Sequence, residues 1–143
     1  MKKILRIKFL LPVIIVIFVF IAFKSQEPYR DGTYEGRSRA KYIYEPYVGM
    51  VKLEIKDGYI SKIDFKIVDT INNEIFDEGY EKHFIGNDKY IQQCRNDWQG
   101  VQDYPKKLLS VQDIDRLDAV SGATWSYNIF KASTIQALDK ARK

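Results

Sequence analysis

Cysteine and histidine are nearly missing from this chain: its 143 residues include one of each, Cys94 and His83. A lone cysteine excludes an internal disulfide framework and any cysteine-cluster metal site. One histidine beside it leaves no ligand set for zinc or haem. The sequence therefore predicts no metal site, and it offers no acid–base constellation that would mark catalytic residues. Internal repeats and low-complexity segments are absent, and the length suits one domain. A domain-wide excess of positive charge is lacking too. The formal net charge is +4, yet Lys2, Lys3, Arg6, Lys8 and Lys24 lie within residues 1–24, which hold no acid. The remaining chain sets 18 basic against 19 acidic residues, too balanced for a phosphate-tracking stripe. Nucleic acid is excluded as a partner.

What is present begins with an apolar run. Phe9 to Phe23 is 15 residues without a polar side chain, carrying Pro12 within it. A bilayer crossing needs about 20 residues, which residues 4–23 supply if Arg6 and Lys8 snorkel to the headgroups. A cleaved signal peptide is the competing reading, but the exit Val19-Phe20-Ile21-Ala22-Phe23 has no pair of small residues for a cut. A core helix is disfavoured because the run is apolar on every face. No cysteine follows, so lipoprotein processing is excluded. The basic residues ahead of the run place the N-terminus in the cytoplasm. Residues 1–24 thus read as a signal anchor that contacts the lipid bilayer through 4–23 and leaves the rest outside the cytoplasmic membrane. Secretion after signal cleavage is the alternative.

Residues 25–31 read as a short polar linker and 32–143 as the folded domain. Gly32 to Arg37 predicts a strand, and 40–48, with three tyrosines and Pro46, reads as a loop. Val51, Leu53 and Ile55 alternate with Lys52 and Glu54, Asp57-Gly58 is a hairpin turn signal, and Ile63, Phe65 and Ile67 resume the alternation. Asp69 to Asn87 is turn-rich and predicts an excursion out of the sheet into the helical half. From Asp88 the spacing of Ile91, Cys94, Trp98 and Val101 is helical, which makes Cys94 a core residue. Pro105 is expected to interrupt this helix, with 106–111 adding a further turn or two. Ser126 to Arg142 predicts a last helix, with Ile129, Phe130, Ile135, Leu138 and Ala141 on its buried face. Strands before helices give an α+β class: an antiparallel sheet with an N-terminal β-hairpin packed against C-terminal helices, behind a transmembrane helix. All ten tyrosines follow Lys24 and are expected to fill the sheet–helix interface with hydroxyls at its rim. His83 falls in a polar loop and reads as a loop residue.

One segment carries chemistry. Asp118-Ala119-Val120-Ser121-Gly122-Ala123-Thr124, followed by Trp125 and Ser126, is a tight loop of small residues leading into a helix. Gly122 allows backbone angles and close approach that other residues block. Thr124 or Ser126 is a candidate N-cap, and the helix start suits an anion. Trp125 and Tyr127 flank this point, each readable as a ring-stacking group or as a core anchor. The structural alternative is a capped helix start with a small-residue turn.

The DAVSGAT segment resembles the flavinylation motif of the FMN-binding domain family. That family includes flavoprotein subunits of the sodium-pumping NADH:quinone reductase and of the Rnf electron-transfer complex. The resemblance extends to Asp31-Gly32-Thr33-Tyr34-Glu35-Gly36, to the hairpin from Val51 to Ile60 with its Lys56-Asp57-Gly58 turn, and to the final helix, although the chain is far shorter than those subunits. It implies that a flavin transferase takes FMN from FAD and joins its phosphate to the hydroxyl of Thr124. Asp118, Ser121, Gly122 and Ala123 would then be the recognised context, with Trp125 and Ser126 beside the cofactor. The implied protein is an extracytoplasmic electron carrier with covalent FMN and a membrane or extracytoplasmic redox partner, rather than an enzyme with its own substrate. The alternative is a binding or scaffold module holding flavin reversibly or not at all. A true reductase ranks behind both.

Overall fold

The computed structural model describes residues 29–38 and 46–142. The predicted anchor and most of the predicted linker lie outside them. Among the described residues, no helix is long and apolar enough to cross a membrane. The architecture is α+β. Four strands form an antiparallel meander in the order β1-β2-β3-β4: β1 (Gly32–Arg37), β2 (Tyr47–Lys56), β3 (Tyr59–Asp69) and β4 (Glu74–Ile75). Helices α1 (Asp88–Val111) and α2 (Thr124–Ala141) cover one face of it, α1 against β3 and α2 against β1 and β2. Short 3-10 turns occupy Glu78–Phe84 and Ile114–Arg116.

The hairpin follows from the alternation. Val51, Leu53 and Ile55 are buried while Lys52 and Lys56 are exposed. Asp57 and Gly58 both take positive φ, 54° and 77°, which a type I′ turn requires and glycine tolerates best. Both turn amides donate to the Asp31 carboxylate at 3.0 and 2.9 Å. Tyr29 packs on the core, and the Arg30 amide donates to the Ala141 carbonyl at 2.9 Å. Packing therefore reaches Tyr29, inside the stretch read as linker. On β3 the inward set changes parity, from Ile60 to Ile63 and Ile67. A bulge opposite Glu54/Ile55 absorbs the extra residue, Ser61, whose hydroxyl donates to the Glu54 carbonyl at 2.9 Å.

Several expectations need correction. Tyr47 and Val48 belong to β2, not to a loop, because both find partners on β3, at Asp69 and Val68; residues 39–45 lie outside the described set. The Asp69–Asn87 stretch does not leave the sheet at once, since Glu74 and Ile75 fold back to pair with Asp69 and Val68. Pro105 does not interrupt α1, which runs unbroken for 24 residues. A proline removes one intrahelical bond, and here Val101, Tyr104 and Leu108, all buried on either side of it, keep the helix seated. The buried face of α2 is Ser126, Phe130, Ser133, Thr134, Ala137, Leu138 and Ala141, whereas Ile129 and Ile135 are only half-buried. Ser133 and Ala137 line that face because Gly36 brings the β1 backbone against the helix, whereas Gly49 makes room for Ile129. Cys94 is a core residue, and burial pushes its thiol up to about 11. His83 lies in the 3-10 turn, bonded to Glu74 at 2.8 Å, with its ring 4.6 Å from that of Tyr80.

Tyr80 and Tyr104 are fully buried, so their hydroxyls are not at a rim. Each has an internal partner. Tyr80 donates to Asp69 at 2.6 Å, and Asp69, itself buried, also accepts the amides of Ile71 and Asn72 and the Asn72 side chain. Burial alone would raise the Asp69 pKa. The hydrogen bonds from Tyr80, Asn72 and Ile71 outweigh it and hold the carboxyl down at about 2, against an ordinary 3.8. A carboxyl whose pKa falls on folding adds stability that is complete above 3.8 and is lost as the pH drops through about 2. Asp69→Asn should therefore be less stable than the parent near neutrality and lose less of its stability on acidification across that window. Urea unfolding at the two ends of the window measures the difference.

Candidate functional site

The chemistry-bearing segment is a loop suspended between the two helices and held mainly by one face of α1. Residues 120–123 form a tight turn closed by the Ala123 amide on the Val120 carbonyl at 3.0 Å. Gly122 sits at its third position with φ +80°, the sign a type II turn needs there. The Tyr104 hydroxyl spans the turn from below, accepting the Val120 amide at 3.0 Å and donating to the Ala123 carbonyl at 2.8 Å. One turn earlier on α1, Gly100 makes room, since a Cβ there would stand 2.6 Å from the Ser126 hydroxyl and 2.9 Å from the Ala123 methyl. Gln93 donates to the Gly122 carbonyl at 2.8 Å and to Asp97 at 2.7 Å. On the far side the Tyr127 hydroxyl donates to the Leu117 carbonyl at 2.6 Å, pinning the approach to the loop.

Asp97 is the centre of this arrangement. It is buried, and its Oδ1 accepts both the amide and the hydroxyl of Ser126 at 3.0 Å. The helix start expected at Thr124 or Ser126 is thus capped differently. The N-cap position is Ala123, which has no side chain for the task, and Asp97 supplies the missing acceptor from another helix. Neither Thr124 nor Ser126 is the N-cap; Ser126 is the third helical residue, and its hydroxyl donates to Asp97 and to the Ala123 carbonyl. By helix geometry the amides of Thr124 and Trp125 have no intrahelical acceptor.

The residues singled out in the sequence divide into two groups. Ala123 and Ser126 are buried and structural, whereas Ser121, Gly122 and Thr124 are exposed, with Thr124 at the first position of α2. Asp118 is exposed and, among the described residues, makes no hydrogen bond or ion pair, so it stands apart from the turn. Trp125 is half-buried against an aromatic cluster, 5.1 Å from the Tyr47 ring and 5.2 Å from that of Phe76. Tyr127 is a core anchor, its ring 5.4 Å from that of Tyr104. Gln93, Asp97, Gly100 and Tyr104 were not singled out in the sequence. The available signal was Asp97 itself, a carboxylate in the same helical stripe as the buried Cys94, Val101, Tyr104 and Leu108. Among the described residues no group of three or more His, Cys, Asp or Glu could hold a metal ion.

Chemically, the arrangement presents an exposed residue with an aliphatic hydroxyl, on a backbone fixed by buried bonds, beside two helix-start amides that lack an intrahelical acceptor. An anionic phosphate group is compatible with that setting. The fold itself has a solved counterpart. The chain is similar to the CPE2226 protein from Clostridium perfringens, known from a crystal structure, with a TM-score of 0.58 and 24% identity over 79% of this chain and 88% of that one. At that identity the likeness is one of fold. A protein from Clostridium thermocellum, solved by NMR, aligns with a TM-score of 0.47 and 19% identity over 79% of this chain and 92% of that one. No family model and no curated protein matches the chain.

Proposed function

We propose that the chain is a flavoprotein of the FMN-binding domain type, anchored by residues 4–23 with its domain outside the cytoplasmic membrane, and that FMN is carried on Thr124 as a phosphoester. The observation that carries this reading is the exposed Thr124 on a turn fixed from beneath by Asp97, Gln93 and Tyr104. A flavin transferase would use FAD as donor: the Thr124 oxygen bonds to the FMN phosphorus, AMP leaves, and the hydroxyl proton passes to solvent or to the transferase. The residues present fit the group. The Thr124 and Trp125 amides would face the phosphate, and Gly122, where a Cβ would stand 2.8 Å from the Asn96 side-chain amide, lets the turn close against α1. When bound, the flavin supplies the one- and two-electron chemistry, while the protein supplies tether and orientation. Electrons would pass between a membrane donor and an extracytoplasmic acceptor, with no organic substrate bound.

Co-expression with a flavin transferase and intact-mass analysis of the denatured protein test this. The parent should gain the mass of one FMN that survives unfolding. Thr124→Ala should gain none, and Thr124→Ser, which keeps a hydroxyl, should be modified in part. An unmodified parent, or covalent FMN on Thr124→Ala, overturns the reading. Flavin that co-purifies but is lost on denaturation would favour reversible binding.

A further inference from the structure

The residue after Thr124 opens a chain of contacts that runs through two tyrosines to Asp69. The Trp125 and Tyr47 rings meet edge to face, their centroids 5.1 Å apart and their planes at 89°. The Tyr47 and Tyr80 hydroxyls are 3.0 Å apart, and Tyr80 continues to Asp69 at 2.6 Å. The direction of the hydrogen bonds is determined. Asp69 is ionised and can only accept, so the single Tyr80 proton is committed to it, and Tyr47 must then donate to Tyr80. A half-buried indole therefore touches a phenol whose proton already points along two hydrogen bonds toward a buried carboxylate.

We propose that Trp125, Tyr47, Tyr80 and Asp69 form a proton-coupled relay that moves an oxidising equivalent from the surface beside Thr124 to Tyr47. A one-electron oxidant removes an electron from the Trp125 indole, which releases its N–H proton to water. Tyr47 then reduces the indolyl radical, which regains a proton from water. As Tyr47 becomes a neutral tyrosyl radical, its proton passes to the Tyr80 oxygen and the Tyr80 proton passes to Asp69, which ends as a neutral acid. A phenol that has lost an electron is far more acidic than a carboxylic acid, so the two proton shifts run downhill. The relay drains oxidising equivalents away from the Thr124 end of α2. It rests on the ring and hydrogen-bond geometry and does not require a flavin on Thr124.

Pulse radiolysis with azidyl radical as the oxidant tests it on the purified, unflavinylated full chain. The background is Trp98→Phe, which leaves Trp125 as the only tryptophan of the two. The indolyl absorption should decay as tyrosyl absorption grows, at a rate independent of protein concentration and slowed in deuterated water. Tyr47→Phe should abolish this intramolecular phase. Tyr80→Phe keeps the ring but cuts the proton path, so transfer should slow by roughly tenfold, the size of one strong hydrogen bond lost from the transition state, and its isotope effect should shrink. Absence of the phase in the Trp98→Phe protein, its persistence in Tyr47→Phe, or an unchanged rate and isotope effect in Tyr80→Phe would each overturn the relay. Intact mass reads the flavin proposal separately, so the two fail independently.

Discussion

Gly36→Val is expected to lower the melting temperature by roughly 10 °C or more, or to leave the protein insoluble. Gly36 lies in β1 directly under α2. Its missing Cβ would overlap the Ser133 carbonyl oxygen and stand 2.7 Å from the Ala137 amide nitrogen. Both are backbone atoms of a helix and cannot turn aside, so α2 itself would have to lift. That displacement would also strain the two bonds that close the free edge of β1, from the Arg37 amide to Gln136 at 2.6 Å and from Lys140 to the Glu35 carbonyl at 2.7 Å. An edge strand stripped of such cover invites pairing with another chain. Gly49→Ala is the internal comparison. There the nearest obstruction is the Ile129 Cγ2, a branch methyl that moves only by a costly turn of χ1, and the Ile129 carbonyl oxygen stands farther off at 3.2 Å, so the loss should be real but smaller. Thermal unfolding of the two variants side by side measures the contrast, and equal losses would show that helix–strand approach is not what Gly36 secures.

These glycines also show where sequence patterning stops being informative. The hairpin was legible because alternation and an Asp-Gly turn are local signals, each readable without knowing what lies above the sheet. The buried face of α2 was not, because Ser133 and Ala137 answer to Gly36, at the other end of the domain's chain. A periodicity count rewards Ile129 and Ile135, yet the close approach at Gly36 favours Ser133 and Ala137, while Ile129 lies over Gly49 at the margin of that face. Pro105 failed as a helix boundary for a similar reason: tertiary contacts of Tyr104 and Leu108 override a local penalty. Tyr47 and Val48 were hidden by a tyrosine-rich, proline-flanked context, although their partners on β3 fix them as strand.

The candidate site divides along the same line. Its small-residue turn, its positive-φ glycine and the helix that follows were all local, so residues 121–126 could be picked out directly. What holds them was not local. Tyr104 and Gln93 reach the turn from 16 to 29 residues upstream in the chain, and neither residue type announces that role. Asp97 was the exception. A carboxylate set in the core stripe of an amphipathic helix must find donors when buried, and the nearest unsatisfied donors in a helical protein are the amides at another helix's start.

That requirement makes Asp97 the residue whose loss should separate folding of the domain from presentation of Thr124. Asp97→Ala removes the acceptor for the Ser126 amide and for Gln93, leaving a buried backbone N–H unpaired, at a cost of about 2–4 kcal/mol. With total stabilities of about 5–15 kcal/mol typical of domains this size, the fold should survive while the first turn of α2 frays. Asp97→Asn tests the chemistry more finely. The asparagine oxygen can still accept from Ser126, but its amide then faces the Gln93 amide, and one of them must rotate. If Gln93 rotates, the Gly122 carbonyl loses its donor. Denaturant unfolding should rank parent, Asn and Ala in falling order of stability. Hydrogen exchange should show the Ser126 and Tyr127 amides opening in the Ala variant well before the β2–β3 hairpin does. Flavin loading, measured under conditions where both variants remain folded, should fall in the same order. Full loading of Asp97→Ala with an intact fold would mean that the turn presents Thr124 without being fixed from beneath, and the preorganisation argument for this site would fail.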